Sequence, residues 1–244
     1  MPMLHRSMAA TAAGREEDTC MEKTPATFFR KLHDPVSGLT HCIGAVLAVA
    51  GLVALIVKAT NPVRPWHLST YTVFGAGMIL LYTASTLYHW LPVSSRTKAH
   101  LRRLDHMMIF VLIAATYTPF CLIPLRGAWG WGIFGTVWTV AALGIAFKMV
   151  WINAPRWLSA AMYVCMGWIA LAGIVPLVRA LQGGALFWLF AGGVLYTAGA
   201  LVYATKKPDP IPRVFGFHEI FHIFVMLGTM AHFWTVYKYV SMFS

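Results

Sequence analysis

Hydrophobic residues in this chain are arranged in seven long runs separated by short polar breaks. Each run is about 20 residues long, and a helix of about 20 residues crosses the roughly 30 Å hydrocarbon core of a bilayer. The pattern therefore predicts an all-α membrane protein, a bundle of seven transmembrane helices. The predicted spans lie near residues 37–58, 68–91, 104–125, 128–148, 157–178, 184–204 and 215–238.

The breaks contain residues that hydrocarbon does not accommodate. They include the stretches ATNPVRPW, PVSSRTKAHLRR, NAPR and TKKPDPIPR. Proline, asparagine and cationic side chains need polar partners that lipid does not supply. The stretch IPLRGAWG, between the third and fourth runs, gives only a short turn and is the weakest boundary.

Composition points in the same direction. The chain has 244 residues, of which 59% are hydrophobic and 11% charged, whereas a soluble domain carries roughly a quarter charged residues. A formal net charge of +11 would suggest nucleic acid as the partner of a soluble protein. Here the cations stand in connections beside apolar runs, as membrane topology requires. We therefore expect membrane lipids, and no nucleic acid, as partners.

The cations also predict an orientation. Most of the 19 Lys and Arg residues lie in the N-terminal tail and in the connections after the second, fourth and sixth runs. Cytoplasmic connections carry the excess of Lys and Arg, so the N-terminus is predicted to be cytoplasmic and the C-terminus external. We expect a multi-pass protein of the cell inner (plasma) membrane. Residues 1–34 are predicted to form a flexible cytoplasmic tail, and residues 35–244 the seven-helix domain.

Ionisable residues inside the runs are the candidates for chemistry, because they are costly in a bilayer and usually functional. His89 ends the second run, Asp105 opens the third, and His218 and His222 lie in the first two turns of the seventh. With the predicted topology, all four lie within roughly 10 Å of the cytoplasmic face. His218 and His222 are spaced i, i+4 and so share a helix face. Three neutral imidazoles suit zinc, and an open fourth position suits catalysis.

The stretch HEIFH, residues 218–222, also matches the H-E-x-x-H motif of metalloproteases. In that class the Glu acts as general base beside two His ligands. An intramembrane metalloprotease would need a further acidic ligand deep in a later helix, and no acidic residue follows Glu219. Glu219 is rotated about 100° from His218 around the helix. We therefore expect it to face the loop arginines or lipid headgroups instead.

Three stretches together resemble the hemolysin III family, which is grouped with the progestin and adipoQ receptors and more distantly with alkaline ceramidases. They are STLYHW, RLDHMMIFVLIAATYTP and FGFHEIFHIFVMLGTMAHFW. The resemblance implies that His89, His218 and His222 ligate zinc. It further implies that Asp105 meets the zinc through a bound water and that Ser85, four residues before His89, supports this site.

Three functions stay open at this point. In the first, a zinc-dependent hydrolase cleaves an amide or ester of a lipid at the cytoplasmic leaflet, with Asp105 taking the proton and Ser85 steadying the oxyanion. In the second, a non-enzymatic sensor or regulator of membrane state holds structural zinc. The third is the channel or pore-forming, cytolytic role that the family name implies, although no ring of charges or broken helix lines an obvious path.

Overall fold

The computed structural model describes residues 32, 34–212 and 214–243. The predicted tail, residues 1–34, therefore lies outside the described residues except at Leu32 and Asp34. The described chain is helical, and its β-structure is limited to two isolated bridges. Its helices are α1 (Pro35–Thr60), α2 (Pro65–Trp90), α3 (Ser95–Leu122), α4 (Ala128–Val150), α5 (Arg156–Gly167), α6 (Ile174–Ala180), α7 (Gly183–Thr205) and α8 (Phe217–Lys238). Two 3₁₀ segments, Trp168–Gly173 and Val240–Met242, complete the set.

Six helical segments are long and apolar enough to cross a membrane by length and composition. They are α1, α3, α4, α7, the stretch Arg156–Ala180 and the stretch Phe217–Met242. Helix α2, the second predicted span, is 26 residues long but is not among the six, because its Ser, Thr, Tyr and His residues lower its mean hydropathy. Many of these polar residues, including His67, Thr70, Ser85 and His89, are buried inside the protein. The structure therefore supports a helical membrane bundle.

The helices pack so that a central space remains between them. Along the chain, α1 packs on α2, α2 on α3 and α3 on α4, while α8 lies against both α7 and α1 and α5 lies against α7. Large apolar residues on the outer surfaces stay exposed, for example Val46 at 66% and Leu143 at 65%. Such exposed apolar faces mark contact with lipid or with another protein, and their number here fits a bundle embedded in a bilayer.

Helix α3 begins earlier than its hydrophobic run. Ser94 caps it by accepting a hydrogen bond from the backbone N–H of Thr97 at 3.4 Å, as Ser does at helix N-termini. Most of the polar stretch PVSSRTKAHLRR is therefore helix, not a loop. The prediction that Asp105 opens this helix is wrong, because Asp105 comes ten residues after Ser95, the first residue of α3.

Candidate metal site

Three histidines from two helices come together at one end of the bundle. His89 lies in the last turn of α2, and His218 and His222 lie in the first two turns of α8. One ring nitrogen from each can be chosen so that all three lie within 4.8 Å of one another. The Nε2 atoms of His218 and His89 are 3.2 Å apart. Two ligands at 2.0–2.1 Å from a tetrahedral zinc ion would stand about 3.3 Å apart, so this donor set fits a metal ion.

The local sequence explains why these rings meet. The i, i+4 spacing puts His218 and His222 on one face of α8, and their ring centroids are 4.5 Å apart. The His89 ring lies 5.0 Å from that of His218 and 5.2 Å from that of His222. His89 and His222 are buried, and His218 is partly buried. The group is thus enclosed by protein at the start of α8.

Groups at the start of α1 orient two of the three rings. The Nδ1 atom of His89 lies 3.2 Å from Oδ2 of Asp34. The Nδ1 atom of His222 lies 3.2 Å from the carbonyl oxygen of Ser37 and 3.1 Å from Oγ1 of Thr40. Because a carbonyl only accepts, His222 donates its Nδ1–H and leaves Nε2 free as a metal ligand. Metal-binding histidines are held in this way by carboxylates and carbonyls.

Sequence reasoning missed the role of Asp34, which it placed in the tail. The residue stands just before Pro35, the first residue of α1, and an acidic residue followed by proline is a signal for a helix start. Its backbone N–H also donates to the carbonyl oxygen of His89 at 3.1 Å. The start of α1 is therefore fastened to the end of α2 through both backbone and side chain.

Glu219 is not part of the histidine group. Its Oε2 accepts a hydrogen bond from the backbone N–H of Gly216 at 2.8 Å, which caps α8, and its Oε1 accepts one from the hydroxyl of Ser37. The expectation that Glu219 faces the loop arginines or lipid headgroups is therefore wrong. Its carboxylate joins α8 to α1, beside the Ser37 carbonyl that holds His222.

Asp105 and Ser85 lie near the histidines but outside the group of three. Asp105 is 8% exposed and lines the same cavity wall as His218 and His222. Ser85 is completely buried beside the Asp105 carboxylate, and its Oγ makes no hydrogen bond to another described residue. The structure thus brings the three histidines together and puts the acid beside them.

A cavity of about 360 Å³ extends from this end of the bundle into its interior. Its walls are mainly apolar and come from α3, α5, α7 and α8. His222 lines one part of it and His232, roughly 15 Å further along α8, lines another. The lining residues Leu171, Ile174 and Phe190 are also exposed on the outer surface, at 53%, 44% and 62%. The cavity therefore reaches the apolar outer face of the bundle.

A fourth histidine, His41 of α1, lies against the group of three histidines. Its ring stacks on that of His222, with centroids 3.6 Å apart and planes inclined by 7°. It is 3% exposed, lines the cavity, and neither ring nitrogen has a hydrogen-bond partner among the described residues. In the sequence, Ser37 and His41 have the same S-x-x-x-H spacing as Ser85 and His89.

Sequence similarity to known proteins extends over most of the chain. A family model described as "Haemolysin-III related" matches residues 29–233, a range that contains every residue of the site. The chain is 40% identical over 203 residues to the "Hemolysin-3 homolog" of Bacillus subtilis (strain 168), covering 83% of this chain and 92% of that protein. It is 38% identical to "Hemolysin-3" of Bacillus cereus over 84% of this chain and 90% of that protein. It is 28% identical to the "Monocyte to macrophage differentiation factor" of Homo sapiens, over 97% and 91%.

Proposed function

This chain belongs to the haemolysin-III related family, and we propose that it is a multi-pass membrane hydrolase that uses zinc to cleave an amide or ester bond of a lipid. One observation carries the proposal: the three-histidine group stands at the wall of an apolar cavity that reaches the lipid-facing surface. A purely structural metal site needs no such space. The cavity volume, about 360 Å³, lies within the range of small-molecule pockets.

The proposed arrangement in the membrane has seven spans, with residues 35–244 as one domain and residues 1–34 as a cytoplasmic tail. Helix α2 is the span that composition alone does not identify, and its 26 residues extend about 39 Å. Its polar residues are buried against protein, so they do not prevent it from crossing the bilayer. The excess of cations after the even-numbered spans supports a cytoplasmic N-terminus and an external C-terminus in the inner membrane.

The proposed metal ligands are His89, His218 and His222. Zinc, when bound, supplies a Lewis acid that polarises a carbonyl and lowers the pKa of water. Asp34 and the Ser37 carbonyl hold two of the imidazoles with their Nε2 atoms toward the centre.

The proposed catalytic residues are Asp105 and Ser85. Asp105 lines the cavity wall, and in the proposed reaction its carboxylate oxygen accepts a proton from the attacking water. The Ser85 hydroxyl, buried beside that carboxylate, can donate a hydrogen bond to it or to the negative oxygen that develops on the substrate. The apolar cavity walls would take the acyl chain and exclude bulk water from the reacting bond.

The test compares lipid products and metal content in the same samples. Purified wild type and the His218→Ala and Asp105→Asn variants would be reconstituted with bacterial lipid extract, followed by mass spectrometry of lipids and elemental analysis of zinc. We expect His218→Ala to lose both zinc and lipid turnover, and Asp105→Asn to keep zinc and lose turnover. His232→Ala, at the other end of the cavity, is the control that should keep zinc.

Unchanged lipids with stoichiometric zinc in the wild type would refute the hydrolase and support a sensor with structural zinc. Lipid turnover without zinc in the wild type would refute the metal mechanism. Either result is independent of the membrane topology proposed above.

A further inference from the structure

Three cations gather where the end of α4 and the start of α5 meet α3. Lys148 of α4 is completely buried, and its ammonium donates a hydrogen bond to the hydroxyl of Ser159 in α5 at 2.5 Å. Arg102 of α3 lies close enough for its charge to act on this ammonium. Its guanidinium donates to Oδ1 of Asn153, in the connection before α5, at 3.1 Å. A buried lysine and a partly buried arginine thus share one corner of the bundle.

Arg156, the first residue of α5, links this corner to the mouth of the cavity. Its guanidinium carbon lies 5.7 Å from the ring centre of Tyr203 and 5.2 Å from that of Phe217. Tyr203 lines the cavity, and Phe217 precedes the proposed ligand His218. Arg156 itself is exposed, so the N–H groups of its guanidinium can donate hydrogen bonds to a group that approaches from the surface.

No carboxylate neutralises these charges within residues 32, 34–212 and 214–243. The acidic residues of that part of the chain are used elsewhere: Asp209 accepts from the backbone N–H of Phe217, Glu219 caps α8, and Asp34 holds His89. Asp105 is buried at the cavity wall. An ammonium group carries three donors, and the contact with Ser159 uses one of them. A buried charge without a counter-charge is costly, so an anion that reaches this corner would be stabilised there.

Membrane topology accounts for the side on which these cations lie, but not for their burial. A lysine that serves only the positive-inside bias extends its ammonium toward water and headgroups. Lys148 instead turns inward to Ser159 and is 0% exposed. The planar guanidinium of arginine can bind two oxygens of a phosphate at once, whereas lysine binds phosphate as a point charge. Two arginines near one buried lysine therefore supply the positive charge and the hydrogen-bond donors that a phosphate group takes.

We propose that Arg102 and Arg156, beside the buried positive charge of Lys148, form a binding site for the phosphate of an anionic phospholipid headgroup, near the mouth of the cavity. The site does not need the metal, and it stands whether or not the protein is a hydrolase. In the topology proposed above this corner lies at the membrane surface, which makes a phospholipid the natural source of the phosphate, with soluble phosphate as the other source of the same chemistry.

The experiment measures lipid binding by native mass spectrometry on the full-length protein in detergent. The probes are dioleoyl phosphatidylglycerol, dioleoyl phosphatidylcholine and inorganic phosphate. We expect wild type to bind phosphatidylglycerol at least ten-fold more tightly than phosphatidylcholine. The double variant Arg102→Gln, Arg156→Gln should lose this preference, because each charge-assisted hydrogen bond to phosphate is worth about ten-fold in affinity. It leaves the buried Lys148–Ser159 contact intact, so the fold is retained.

Two further variants separate binding from structure. Arg126→Gln, Arg179→Gln removes the same charge from other exposed positions and should bind phosphatidylglycerol as wild type does. Ser159→Ala keeps all three cations and should also bind normally, whereas Lys148→Met should weaken binding. Equal affinity for phosphatidylglycerol in both arginine double variants would overturn the site. Displacement of the lipid by millimolar inorganic phosphate would support the site and assign it to soluble phosphate as well.

Discussion

The contact between Asp34 and His89 allows a quantitative prediction about metal affinity. Asp34→Ala removes the carboxylate 3.2 Å from Nδ1 of His89, while leaving all three proposed ligands in place. Loss of such an outer partner typically weakens metal binding 10–100-fold. The Asp34 side chain is 43% exposed, whereas that of His89 is 4% exposed, so water can partly replace the carboxylate. We therefore expect the low end, about ten-fold or about 1.4 kcal/mol.

Zinc dissociation constants would be measured on the purified protein by competition with a chromophoric chelator. Asp34→Asn separates charge from geometry, because its amide oxygen can still accept from the imidazole N–H, and we expect a smaller loss than for Asp34→Ala. Asp209→Asn is the matched control, since Asp209 accepts a hydrogen bond from the backbone N–H of Phe217 at the start of α8 and is not the carboxylate paired with His89. Wild-type zinc affinity in Asp34→Ala would refute the claim that this carboxylate orients His89. An equally large loss of zinc affinity in Asp209→Asn would show that the effect does not depend on the contact with His89.

Three other predictions concern topology, the two acidic residues and packing. A periplasmic reporter fused after Ser244 should be active and a cytoplasmic one silent; the reverse result contradicts the seven-span arrangement. Asp105→Asn should keep zinc and abolish lipid turnover. Glu219→Gln should keep zinc affinity within a few-fold and retain turnover, because the amide oxygen of Gln can still cap α8. An inactive Glu219→Gln variant together with an active Asp105→Asn variant would instead support a metalloprotease mechanism. Tyr82→Phe removes the hydroxyl that donates to Oγ1 of Thr229 at 2.8 Å and should cost about 0.6–1 kcal/mol in unfolding free energy; a stability equal to wild type would mean that this buried bond contributes nothing.

Much of the histidine group could be predicted from sequence, because residue spacing along a helix and the position of each helix end are sufficient for it. The spacing of His218 and His222 fixes their shared face, and the rise per residue puts them at the same end of the bundle as His89. The groups that orient the imidazoles could not be predicted in the same way. Every residue type has a backbone carbonyl, so the sequence does not mark the one at Ser37. Its pairing with His222 depends on how α1 packs against α8.

The limits of the helices were predicted less well than the helical character of the chain. Hydropathy marks where the chain is apolar, but a helix continues as long as its residues favour one and its first N–H groups are capped. Ser94 and the helix-forming Lys, Ala, Leu and Arg residues that follow therefore extend α3 beyond its apolar run. The fifth predicted span is interrupted by the 3₁₀ segment Trp168–Gly173, which its apolar composition does not reveal.

The first two turns of α1 support the proposed metal site from two sides, and this has a thermodynamic consequence. Asp34 contacts a ligand on α2, while Ser37 and Thr40 contact a ligand on α8. Metal affinity and the docking of α1 are therefore linked functions, and linkage is reciprocal. A metal ion bound at the histidines would therefore tighten the hold of α2 and α8 on α1. If such an ion changed the affinity of a partner for the start of α1, that partner would change the affinity for the metal by the same factor.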